Sequence, residues 1–199
     1  METVFQKGER SIDETGLIAS VLSGKTNAYA EIVRAYQAKV LGLCTSLLGN
    51  VTEGEDAAQE VFIKAYQSLR SFRGDSGFST WLYRITANHC KDLLRKRSRE
   101  KTQSLEALVE SAGESAGQIL EPSSNPMTAV ESADTVEKIL SLLSADERLI
   151  LTLREAQGLS YEEISQTLGC SLEAVRSRLR RAREALQEKL RHFSVLKNV

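Results

Sequence analysis

Five arginines, Arg176, Arg178, Arg180, Arg181 and Arg183, fall within eight residues of the stretch SYEEISQTLGCSLEAVRSRLRRAREAL. A guanidinium is a planar fork of N–H donors that fits the O6/N7 edge of guanine and also grips phosphate oxygens, whereas lysine offers a point charge. An arginine-rich helix face is otherwise merely solvated, so the surrounding residues have to decide between the two. A second set, Arg84, Asn88, Lys91 and Arg95, recurs at i, i+4, i+7 and i+11 with Trp81 at its edge. On a helix that spacing makes one polar, cationic stripe. Such a track beside an aromatic suits a separated nucleic-acid strand, because cations hold the backbone while ring faces replace lost stacking, worth about 1–3 kcal/mol per base.

The arginine cluster needs a scaffold, and the local pattern supplies one. Ser160-x-x-Glu163 is a capping box that starts a short helix with Tyr161, Ile164 and Leu168 on its inner face. Gly169 can take the left-handed conformation that turns the chain sharply, and Ser171 then caps the next helix. At 100° per residue, Leu172, Val175, Leu179, Ala182 and Leu186 share one face. Ser177, Arg180 and Arg181 fall opposite, and Arg176 and Arg178 lie on the flanks. This is a helix-turn-helix layout, and its tight glycine turn favours recognition over a solvated face.

Helical periodicity dominates the rest of the chain and no strand alternation persists, which predicts an all-α protein. Asn27 is expected to cap a helix with Tyr29, Ile32, Val33, Tyr36, Val40, Leu43 and Leu47 as its apolar stripe, ended by Gly49-Asn50. Thr52-x-x-Glu55 reads as a capping box for the next helix, which buries Ala58, Val61, Phe62, Ala65 and Leu69. The polar loop RSFRGDSG then leads into a helix from about Ser79 to Lys96. From Thr102 to about Ala133 the composition turns to Ser, Ala, Gly and Glu and includes both prolines, Pro122 and Pro126, which reads as a linker. A short helix over Val136–Leu143, a capping box at Ser144-x-x-Glu147 and a stop at Gly158 complete the pattern. The expected organisation is two small helical domains, 1–100 and 134–199, joined by a flexible linker over 101–133.

Composition narrows the function classes. The 199 residues are 41% hydrophobic and 27% charged, with a net charge of -1. That charge is unevenly spread: residues 84–101 carry seven Lys/Arg against two Asp/Glu, residues 102–147 one against nine, and residues 160–199 eight against five. Two basic blocks separated by an acidic one are the footprint of two surfaces that approach phosphates. No run of about 18 apolar residues is present, and the N-terminus lacks an export pattern, so a cytoplasmic chain is expected. Cys44, Cys90 and Cys170 lie far apart, as reduced and mostly buried thiols do. With two histidines and none of HExxH, GxSxG or a phosphate-binding glycine loop, an enzyme, a cofactor, a metal site and a small-molecule substrate are not expected. His89 and Cys90 as metal ligands would diverge by about 100° on a helix.

GEDAAQEVFIKAYQSLRSFRGDSGFSTWLYRITANHCKDLLRKRSR closely resembles region 2 of the bacterial extracytoplasmic-function sigma factors, and GLSYEEISQTLGCSLEAVRSRLRRAREAL resembles their region 4. The resemblance covers roughly residues 28–98 and 137–190. It implies a promoter-specificity subunit that lends DNA reading and strand opening to RNA polymerase, rather than an ordinary helix-turn-helix regulator, which would leave the stripe unused. For the −35 element it points to Ser171, Arg176, Ser177, Arg178, Arg180 and Arg181. For −10 recognition and melting it points to Phe72, Asp75, Ser76, Trp81, Arg84, Asn88, Lys91 and Arg95, with the loop Phe72 to Phe78 trapping an unstacked base; Phe78 fits a core aromatic as well. Asp56, Gln59, Glu60 and Lys64 would form the docking face for the polymerase β′ coiled coil, although each also fits a solvated helix face. The implied partners are core RNA polymerase through its β′ and β subunits, promoter DNA and an anti-sigma factor, often membrane-anchored.

Overall fold

The computed structural model describes residues 13–112 and 139–196, and every regular element among them is helical. Four helices make the first half: α1 (Glu14–Leu22), α2 (Asn27–Leu48), α3 (Val51–Ser68) and α4 (Phe78–Ala112). Three make the second: α5 (Ala145–Leu151), α6 (Tyr161–Leu168) and α7 (Leu172–Leu196).

The expected stripe on α2 is buried through Ile32, Tyr36, Val40, Leu43 and Leu47, and α3 lays Ala57, Ala58, Val61, Phe62 and Ala65 against it. Two expected caps are corrected. Asn27 is the first helical residue rather than the cap, and Thr26 ahead of it makes no side-chain capping bond. Likewise α3 is capped by Asn50, whose side chain accepts from the Glu53 amide at 3.0 Å, so Thr52 already lies inside the helix. The cause is the turn: Gly49 ends α2 at φ 69° and delivers the short Asn50 side chain to the new helix end before Thr52 is reached.

The hairpin closes tightly because Gly54 lies against the α2 backbone. A β-carbon there would sit 2.9 Å from Thr45 Cα and 3.0 Å from Thr45 N. Backbone cannot swing aside as a side chain can, so Gly54→Ala is expected to cost about 1–3 kcal/mol of stability, read as a lowered Tm. An unchanged Tm would mean that the two helices do not cross this closely.

Helix α4 continues to Ala112 instead of stopping near Lys96. No proline or glycine interrupts residues 97–112, so residues 101–112, assigned to the linker from composition, extend the helix. Residues 113–133 of that linker lie outside the described residues, as do 1–12, 134–138 and 197–199. Of the short helix expected over Val136–Leu143, residues 139–141 are helical.

In the second half both capping boxes form, at Ser144 with Glu147 and at Ser160 with Glu163. Helix α5 runs into a π turn at Thr152–Ala156, and Gly158 at φ 69° then reverses the chain. Leu149, Ile150, Leu153, Ile164, Val175, Leu179 and Ala182 make the core of this half. Together with the buried residues of the first half they belong to one continuous cluster, so the halves pack against each other. Cys44 and Cys90 are buried and Cys170 is partly buried, all as free thiols. Contact with Cys90 and burial push the Cys44 thiol far up, which keeps it protonated.

Candidate nucleic-acid interface

Helix α7 carries the arginine cluster and is fixed by its own start. Gly169, at φ 61°, ends α6, and the Ser171 hydroxyl accepts from the Ala174 amide at 3.2 Å. Ser171 thus caps the helix that it was expected to help dock on DNA. Val175, Leu179 and Ala182 are buried beneath α7, which leaves Arg176, Ser177, Arg178, Arg180 and Arg181 exposed. The arginines fall into two groups. Arg176 pairs with Glu173 at 3.3 Å and Arg180 with Glu184 at 3.0 Å, both along the helix surface. Arg178 and Arg181 instead line a cavity of about 230 Å³, together with Lys91, Asp146 and Leu168. Arg183 turns to Glu155 at 2.9 Å, a contact that raises its pKa and ties α7 to the π turn.

On α4 the stripe forms as its spacing requires: Arg84, Asn88 and Arg95 are exposed and Lys91 is half-buried. Two of its members, Lys91 and Arg84, have partners in the second half. Lys91 Nζ lies 2.8 Å from Asp146 Oδ1, and this bond holds the Asp146 carboxyl below the usual carboxylate range. Arg84 donates to the Gln166 carbonyl at the end of α6. Arg95 pairs locally with Asp92 at 3.2 Å.

The loop ahead of α4 holds an aromatic cluster. Phe72 meets Phe78 edge-on at 5.5 Å between centroids and Trp81 at 5.4 Å, and Phe78 also touches Trp81 and Tyr36, each at 5.5 Å. Phe78 is 2% exposed and belongs to the core. Phe72 and Trp81 are only partly buried, so each keeps an edge open toward solvent while packing on the core. Asp75 is exposed and Ser76 half-buried beside them, after a turn that Gly74 makes at φ 76°.

Asp56, Gln59, Glu60 and Lys64 are all exposed along α3. Asp56 and Glu60 also border a groove between α3 and α4 of about 440 Å³, whose apolar floor is Leu48, Ala57, Leu93 and Leu94. Extending the apolar pattern of α4 through Leu93-Leu94 would have located that floor. Glu60 and Lys64 converge on His89: Lys64 Nζ is 2.5 Å from its Nδ1, and Glu60 Oε2 is 3.3 Å from its Nε2 without hydrogen-bond geometry. Burial, followed by the nearby ammonium, lowers the His89 pKa and keeps the ring neutral. The contacts of Asp146, Gln157 and Gln166 with the first half had no signal in the sequence, because they depend on how two separately readable halves meet.

Residues 32–100 match the family model for sigma-70 region 2, and residues 133–186 match that for sigma-70 region 4. The chain is 42% identical over 178 residues to the RNA polymerase sigma-H factor of Pseudomonas aeruginosa, covering 87% of this chain and 92% of the other. It is 41% identical over 179 residues to the ECF RNA polymerase sigma-E factor of Escherichia coli K12, with the same coverage of 87% and 92%. Among solved structures, the Bartonella quintana sigma factor RpoE, in complex with the anti-sigma factor NepR, is similar with a TM-score of 0.63 and 28% identity, over 82% of this chain and 96% of the other. With both sigma-70 regions matched in order and such identity along nearly the full length of its relatives, the chain belongs to the extracytoplasmic-function group of sigma-70 family RNA polymerase sigma factors.

Proposed function

We propose that the chain directs promoter-specific initiation by binding core RNA polymerase, reading the −35 element through α7 and opening the −10 element along α4. The observation that carries this reading is the presence in one chain of two different cationic surfaces, a helix-turn-helix arginine face and a stripe edged by open aromatics. Arginine forks suit a duplex groove, and the stripe suits a single strand. Polymerase docks through Asp56, Gln59, Glu60 and Lys64, where exposed charge borders the apolar groove of α3 and α4. In this division residues 1–100 dock and melt, residues 134–199 read, and residues 101–133 connect them. Control by an anti-sigma factor is supported by the complex in which the Bartonella relative was solved. An anti-sigma factor would compete for the surfaces that polymerase uses.

The test is reconstitution with core polymerase. The chain is expected to co-purify with core enzyme and to start transcripts from a limited set of genomic fragments, and Asp56→Lys, or Gln59→Ala combined with Glu60→Lys, is expected to weaken that association at least tenfold. A chain that changes transcription without entering the polymerase would instead be an ordinary helix-turn-helix regulator.

A further inference from the structure

Two of the three cysteines meet inside the first half. Cys44 on α2 and Cys90 on α4 are each 0% exposed, and their side chains share a hydrogen bond across the two helices. One buried thiol is a small apolar filler. Two thiols in contact, far apart in sequence and on different helices, are also the two ends of a bond that oxidation can make.

The pair is not symmetric. Cys44 donates to Cys90, and this contact together with burial keeps the Cys44 proton in place. At Cys90 the hydrogen bond from Cys44, helped by the Lys64 ammonium, outweighs burial and lowers the pKa. Lys64 stands on α3 with its side chain 48% exposed, and it touches the ring of His89, the neighbour of Cys90 in the chain. Cys90 thus has thiolate character beside a surface cation, the setting in which a cysteine reacts, and Cys44 holds the proton that a departing oxygen needs. Burial of both sulfurs shuts out bulky reagents and selects a small oxidant.

What lies one turn further along both helices gives the bond a consequence. Leu48 is four residues beyond Cys44, and Leu93 and Leu94 are three and four beyond Cys90, so each shares a helix face with its cysteine. These three leucines floor the groove of about 440 Å³ that Asp56 and Glu60 border. A covalent bond draws two sulfurs closer than contact allows, and a close-packed interior passes such a shift to its neighbours instead of absorbing it. Joining Cys44 to Cys90 therefore moves α2 against α4 directly beneath that groove.

We propose that Cys44 and Cys90 are a site of reversible disulfide formation by small hydroperoxides, and that the bond loosens the docking of polymerase on α3. The second part rests on the docking reading given above. The Cys90 thiolate attacks one peroxide oxygen: an S–O bond forms, the O–O bond breaks, and the other oxygen leaves as water or alcohol with the proton that Cys90 gave up. The Cys44 sulfur then attacks the Cys90 sulfur: the S–S bond forms, the S–O bond breaks, and hydroxide leaves as water with the Cys44 proton. The two thiols lose two electrons and the peroxide gains them.

The test uses the full chain carrying Cys170→Ser, so that a disulfide within one chain can join only Cys44 and Cys90. Hydrogen peroxide is the probe. The expected result is a monomer whose unreduced digest contains the 44–90 disulfide peptide, identified by mass. Its affinity for core polymerase is expected to fall at least tenfold, and dithiothreitol to reverse both changes. Adding Cys44→Ala is expected to leave a sulfenic acid at Cys90, trapped by a cyclic 1,3-diketone, and no disulfide. The proposal is overturned if both thiols remain free to alkylate in the unfolded chain after peroxide treatment, or if the disulfide-bonded chain binds core polymerase as tightly as the reduced one. Neither of these outcomes depends on the folding of Cys44→Ala. If the reduced chain itself does not bind core polymerase, the docking reading fails, while the peptide map still decides whether the pair is a modification site.

Discussion

Phe78→Ala is expected to remove about 3–5 kcal/mol of stability, the usual cost of deleting a buried phenyl ring, and with it much of the first half's cooperative unfolding. The ring is 2% exposed and stands at the centre of the cluster, touching Tyr36 from α2, Phe72 from the loop and Trp81 one turn along α4. Each such edge or tilted aromatic pair adds to simple burial, so no rearrangement of one neighbour fills the hole. Trp81→Ala and Phe72→Ala make the informative contrast, because both rings are partly open. They are expected to cost less stability than Phe78→Ala and to leave core polymerase binding in place. Open-complex formation should nevertheless fall by an order of magnitude or more, as permanganate reactivity of unpaired thymines, since stacking on such a ring is worth about 1–3 kcal/mol per base. Thermal unfolding and permanganate footprinting on the same variants separate the roles. If Trp81→Ala destabilises as much as Phe78→Ala, Trp81 is a core residue and the stacking assignment fails.

That contrast also shows what was legible before any coordinates. Sequence spacing alone left Phe78 open between core and base trap, because aromatic residues at 72, 78 and 81 have no period that separates an inward ring from a half-open one. The capping boxes at Ser144 and Ser160 could be read directly, since a side chain three residues from its partner needs no tertiary context. The same motif at Thr52 misled, because the left-handed turn at Gly49 had already presented Asn50 to the helix end. Composition misled over 101–112 in a related way. Ser, Ala and Glu tolerate helix when a stable helix precedes them, and propagation adds a bond per residue without a new nucleus. The packing of the two halves against each other was not legible at all. Lys91 and Asp146 lie far apart in sequence, and no local pattern pairs them.

The partners that the arginines of α7 hold bear directly on how they should be tested. Arg181→Ala is expected to cost about 1–3 kcal/mol on the preferred promoter and to relax base preference at one position, because its side chain stands away from the apolar seam, next to Ser177, and has a guanidinium fork free for a base edge. Arg178, on the flank of that face, is expected to hold a phosphate. Arg178→Ala should weaken all sequences alike and lower the salt dependence of binding by about one counterion. Arg176 and Arg180 start from pairs with Glu173 and Glu184, so any gain on DNA is offset by breaking those pairs and their single substitutions should cost less. As proposed, the promoter is read by the chain bound to polymerase. The measurement therefore belongs on the complex with core polymerase, over a panel of single-base promoter variants at several salt concentrations, with helix content checked by circular dichroism. A uniform loss for every arginine variant, with base preference unchanged, would show that α7 rests on the backbone and that sequence reading lies elsewhere in the chain.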